Sequence, residues 1–103
     1  MTGVPPELAE ARRSIDDLDA VLVQVLAKRF AITRRVGQLK AELALPAADP
    51  VREAQQRRRV RQLAEEAGLD PEFAERVLTL IVTEVVRHHE QARQEESLAH
   101  RAD

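Results

Sequence analysis

Between Pro6 and the segment LPAADP, apolar side chains return at helical spacing: Leu8, Ile15, Leu18, Leu22, Val25, Leu26, Ile32, Val36 and Leu43. Steps of three and four residues, and their sums, are the period of a helix with one apolar face. The stretch from about Glu7 to Leu43 holds no proline and one glycine, Gly37, so it is expected to form one long helix. In LPAADP, Asp49 can cap a second helix and Pro50 can take its first position. That helix is expected to reach Ala67 and to end at Gly68, a residue suited to the left-handed C′ position. The same opening signal recurs in Asp70-Pro71-Glu72, and Phe73, Val77, Leu80, Ile81 and Val85 carry a third helix to roughly Arg93. The last stretch, QEESLAHRAD, lacks apolar periodicity and is expected to fray. The pattern contains no strand signal, internal repeat or long linker. It predicts an all-α chain of three helices, one long and two shorter, with a tail over residues 1–6, a helical domain over 7–93 and a second tail over 94–103.

Helix length bears on assembly. At 1.5 Å per residue the first helix would be roughly 55 Å long, more than the diameter of a folded chain of this size. The second helix offers little apolar surface beyond Val60, Leu63, Ala64 and Ala67, so the two shorter helices cannot cover the whole stripe of the first. A second copy is expected to cover it, in an intertwined homodimeric helical bundle.

Composition narrows the core and the partners. Of 103 residues only Phe30 and Phe73 are aromatic, so the core is built of Leu, Val, Ile and Ala. A third of the residues are charged, with a formal net charge of −2, and neither a nucleic acid nor a membrane surface is indicated as a partner. The cluster QQRRRVR at residues 55–61 lacks interleaved aromatics and reads as a solvated face. The absence of cysteine removes disulfides and thiolate metal sites. MTGVPPELAE has no basic n-region or apolar h-region, and no apolar run approaches ~18 residues, so the expected location is the cytoplasm.

The candidate chemistry lies where charge interrupts the apolar pattern. At 100° per residue, Leu22, Arg29, Val36 and Lys40 fall within about 40° of one another, and Arg12 lies at the edge of that stripe. Burying such cations without partners costs several kcal/mol each. Three accounts compete: the heads snorkel to water, they pair with an acid of another helix such as Glu84, or they face a cavity for an anionic ligand. Asp49, Arg52 and Glu53 add an acid, a base and an acid at the start of the second helix, although capping and the helix dipole alone also account for the two acids. His88 and His89, near Glu84 and Glu90, supply too few ligands to define a metal site. His88 projects along the Val77 and Ile81 stripe and reads as a packed core histidine, while His89 sits at the stripe's edge, where it could face a cavity.

These positions resemble the all-helical, AroQ-type chorismate mutases over about Glu7 to Gln91. The motif R-x-x-I-x-x-L-D stands here as Arg12, Ile15, Leu18 and Asp19, A-x-R as Ala27 to Arg29, and V-G-x-x-K as Val36, Gly37 and Lys40. D-x-x-R-E follows as Asp49, Arg52 and Glu53, and GLDPEF is similar to the family's usual start of the third helix. The resemblance implies an isomerase of aromatic amino acid biosynthesis that rearranges chorismate, a small dicarboxylate, to prephenate without cofactor or metal. It also implies that Arg29 and a partner chain's Arg12 clamp the two carboxylates, that Lys40 donates to the ether oxygen and a carboxylate, that Arg52 supports the anionic end, and that Asp49 and Glu53 hold the ring hydroxyl.

Two positions depart from the family pattern. Val85 replaces a small hydroxyl residue near a carboxylate, and His89 replaces the Gln or Glu that donates to the ether oxygen. They leave room for 4-amino-4-deoxychorismate as substrate, for an isochorismate-pyruvate lyase, and, from a different class, for a non-catalytic helical dimerisation or regulatory module. Some small relatives are boosted by a partner enzyme, an expectation that extends to this chain and its C-terminal tail.

Overall fold

The computed structural model describes residues 3–102, with side chains described for 3–99. Three helices follow one another, α1 (Pro6–Glu42), α2 (Pro50–Ala67) and α3 (Pro71–Ala102), with no strand among the described residues. The described residues divide after Ile32 into two units. The expected starts and the ends of the first two helices hold to within a residue.

The N-terminal unit is a helical stretch that contains no buried residue among those described. Its apolar side chains are largely open to water, Leu18 and Ile32 at 67% exposure and Leu22 at 57%. Only Ala9, Leu26, Arg29 and Phe30 are half-buried.

The second unit holds the end of α1, a loop, and α2 packed on α3. Ala64 of α2 and Ala74 and Leu78 of α3 are buried, and the two small alanines let the helix backbones approach closely. Glu75 of α3 receives Arg61 of α2 at 2.8 Å, a part-buried pair still open enough to solvent that it is worth only about 1 kcal/mol.

Each helix end is closed by a specific arrangement. At the end of α1, Leu45 N–H donates to the Lys40 carbonyl at 2.8 Å and Ala44 N–H to Ala41 at 3.2 Å, which satisfies two carbonyls of the last turn. This closure requires Ala44 at φ 56°, a conformation that costs a side-chain-bearing residue roughly 1–2 kcal/mol. At the end of α2 the same pair of bonds, Leu69 to Ala64 and Gly68 to Glu65, forms around Gly68 at φ 73°, the residue type the conformation favours. Asp49 caps α2, its Oδ1 accepting from Arg52 N–H at 3.1 Å, and Asp70 Oδ1 accepts from Glu72 N–H at the start of α3.

One boundary is corrected. The third helix does not stop near Arg93 but continues through Ala102, so the expected fraying from Gln94 is absent through that residue. QEESLAHRA contains neither Gly nor Pro and is rich in Gln, Glu, Leu, Ala and Arg, residues whose intrinsic propensity continues a helix without an apolar stripe. Asp103 and the first two residues of the N-terminal tail lie outside the described residues. No described helix is long and apolar enough to cross a membrane.

Candidate active site

In the N-terminal unit, Arg12 is exposed and Arg29 is half-buried. Arg29 Nη1 is out of contact with water and has no hydrogen-bond partner among the described residues. That nitrogen does not snorkel, and leaving a charged donor in this state is costly unless an acceptor reaches it.

In the second unit, Lys40 is half-buried at the end of α1, and its Nζ donates to the Ala47 carbonyl at 3.1 Å. An ammonium carries three N–H groups, so one holds the loop and two remain for other acceptors. Ala47 itself is buried and lies two residues before Asp49, so this bond ties Lys40 to the loop that leads into the capped turn. There Asp49 and Arg52 are exposed and Glu53 is half-buried, its N–H donating to the Asp49 carbonyl at 2.9 Å. The acid, base and acid read from the sequence therefore do project from a single first turn. Glu53 also lines a hollow of about 60 Å³ with Arg57, Leu78 and Val82.

On α3, Val85 is half-buried and His89 is 4% exposed. His89 Nε2 lies 2.7 Å from the carbonyl oxygen of Thr33 on α1. The ring lies so close to the α1 backbone that a Cβ on Gly37 would meet its Cδ2 at 2.4 Å. The expected order of burial of the two histidines is thus reversed, although His89 does border a cavity, as its place at the stripe's edge suggested. His89 is the packed one, and His88 is part-exposed with Nε2 3.1 Å from Glu84 Oε1. Glu84 also receives the Arg87 guanidinium, whose hydrogen bond, with the nearby positive charges, holds its carboxyl below the usual carboxylate range. Glu84 is therefore engaged by its own helix, and Lys40, in the same unit, donates to the Ala47 carbonyl rather than to this acid.

Three participants escaped the sequence reading: the Thr33 carbonyl, the Ala47 carbonyl and the close approach at Gly37. Backbone acceptors leave no trace in residue identity. Gly37 did leave one, because a glycine in a helix interior costs about 1 kcal/mol against alanine and calls for a packing reason.

Fold and side chains together define the class, an all-α three-helix protein whose longest helix carries cations among aliphatics. The chain belongs to the chorismate mutase type II family, whose sequence profile matches residues 11–90. It is similar to a chorismate mutase from Methanocaldococcus jannaschii, 29% identical over 76 residues that cover 74% of this chain and 77% of that one. A T-protein from Enterobacter agglomerans is 37% identical over 78 residues, 76% of this chain but only 21% of the T-protein. A 4-amino-4-deoxychorismate mutase from Streptomyces venezuelae is 28% identical over 92 residues, 89% of each chain.

Proposed function

We propose that this chorismate mutase, an isomerase, rearranges chorismate to prephenate in a site shared by two copies of the chain. The reaction is unimolecular: one C–O bond breaks as a C–C bond forms, and no nucleophile is needed. Catalysis then consists of holding the enolpyruvyl side chain folded over the ring and of stabilising negative charge on the departing ether oxygen. In this reading Arg29 and the Arg12 of a second copy clamp the two carboxylates. Lys40 donates to the ether oxygen and a carboxylate with the N–H groups not engaged by Ala47, and Arg52 supports the anionic end. Asp49 and Glu53 hold the ring hydroxyl, Val85 packs beside a carboxylate without bonding to it, and His89 stands at the ether oxygen. The expected compartment is the cytoplasm.

The observation that carries the reading is Arg29, a half-buried cation among aliphatics whose Nη1 is dry and has no hydrogen-bond partner among the described residues. A substrate carboxylate supplies the missing acceptor. The open apolar face of α1 supports the second copy.

The test follows the loss of chorismate absorbance with the purified protein. Arg29→Ala and Lys40→Ala should each lower kcat/KM at least ~100-fold, as expected for loss of charge-assisted contacts worth about 3 kcal/mol or more. Wild type inactive on chorismate, its amino analogue and isochorismate alike, with both variants failing to fold, would favour the non-catalytic helical module instead. The similarity to a 4-amino-4-deoxychorismate mutase, with the two acids Asp49 and Glu53 able to face an ammonium, supports that compound as a second substrate. Comparing kcat/KM on chorismate, its amino analogue and isochorismate ranks the three.

A further inference from the structure

The packing of His89 fixes more than its position. A carbonyl oxygen only accepts, so at 2.7 Å from Thr33 O the Nε2 of the ring must carry the proton. The ring is seated in the space that a Cβ on Gly37 would contest, meeting its Cδ2 at 2.4 Å, Nε2 at 3.0 Å and Cγ at 3.2 Å, so it is held close to the α1 backbone. The other nitrogen, Nδ1, is also buried and has no hydrogen-bond partner among the described residues. In a neutral imidazole with its proton on Nε2, Nδ1 is a lone pair.

We infer that the Thr33 carbonyl locks the tautomer of His89, so that Nδ1 accepts from a ligand while the ring is neutral and donates to one only after taking up a second proton. The inference rests on the proposed reading of the site and deepens it. The ether oxygen of the substrate is an acceptor that gathers negative charge as its bond breaks. A neutral His89 turns a lone pair toward that oxygen, whereas the imidazolium turns an N–H. The extra proton comes from solvent and returns there after release of product, so the reaction remains an isomerisation. A Gln at this position donates from its amide at any pH, whereas His89, like a Glu there, donates to an acceptor only when it carries the extra proton.

His89 borders a cavity of about 290 Å³ that Arg34 and Gln38 of α1 and His88, Gln91 and Glu95 of α3 also line, with no α2 side chain among its lining residues.

Two measurements on the 103-residue chain decide the matter. In the first, kcat/KM for chorismate is followed from about pH 5 to about pH 9 for wild type and His89→Gln. Wild type should lose activity toward high pH, approaching tenfold per unit on the basic limb, while His89→Gln should stay nearly flat. In the second, ¹⁵N NMR of histidine-labelled wild type at about pH 8 should show a protonated Nε2 and a bare Nδ1, with Nδ1 gaining a proton when prephenate is added. Profiles of the same shape from two active proteins, or a free enzyme with its proton on Nδ1, would overturn the lock and leave the mutase reading intact. Wild type inactive at every pH would instead sink the mutase reading. The tautomer in the free protein would still decide the lock, as it would if His89→Gln failed to fold.

Discussion

Gly37→Ala tests the packing on which the site depends. The added Cβ would stand 2.4 Å from His89 Cδ2 and 3.0 Å from Nε2, both inside van der Waals contact. Restoring ordinary contact requires the ring to retreat by about 1 Å, which lengthens the 2.7 Å bond to Thr33 O beyond hydrogen-bonding range. Overpacking of this kind costs roughly 1–3 kcal/mol, and a buried N–H left without an acceptor roughly 1–3 more. Alanine recovers about 1 kcal/mol over glycine in a helix interior, so a net loss near 3 kcal/mol is expected. For a domain of this size that corresponds to a fall in Tm of about 10–20 °C, read by circular dichroism at matched protomer concentration. The sign should reverse once the obstruction is removed. In a His89→Ala background, Gly37→Ala should raise stability by up to about 1 kcal/mol, because only helix propensity remains. A change of the same size and sign in both backgrounds, or a raised Tm in the wild-type background, would refute the close approach as the reason for glycine at this position.

Ala44→Gly should raise Tm by a few degrees, since it releases roughly 1–2 kcal/mol of left-handed strain and returns roughly 0.5–1 kcal/mol to the unfolded chain. A lowered Tm would show that the turn after α1 does not hold this conformation in solution. Arg29→Ala, which should suppress catalysis, should leave stability little changed or improved because it removes a buried charged donor with no partner, and denaturant titration measures this. A loss of several kcal/mol would mean that the guanidinium is structural. Leu18, two-thirds exposed on the single chain, should be covered in a dimer, so Leu18→Glu should weaken dimerisation at least ~100-fold by sedimentation and abolish turnover at low protein concentration. An unchanged assembly would put the α1 stripe in water and remove the basis for a shared site.

The difference between what the chain revealed as a string and what only its folded form disclosed has a physical origin. Helix limits were legible because they rest on local chemistry. A capping aspartate, a proline at the first position and a glycine past the last turn act within four residues of themselves, and Asp49, Pro50 and Gly68 stand in those roles. The end of α3 misled for a related reason. Apolar periodicity reports burial rather than helicity, and residues 94–102 are helical on propensity without an apolar face. Arg29 and Lys40 were visible as anomalies because a cation among aliphatics violates the pattern of its own helix. What each cation meets was not legible, since Lys40 turned out to hold a backbone carbonyl seven residues on. His89 marks the limit most sharply. Periodicity placed it at the margin of a stripe and His88 in the core, because 100° per residue fixes direction only to within the width of a neighbouring helix. The burial of His89 depends on a glycine that α1 presents 52 residues earlier in the chain, where the missing side chain lets an imidazole reach a carbonyl. The one glycine inside the long helix was thus the available clue to which histidine would be buried, and its meaning required the third dimension.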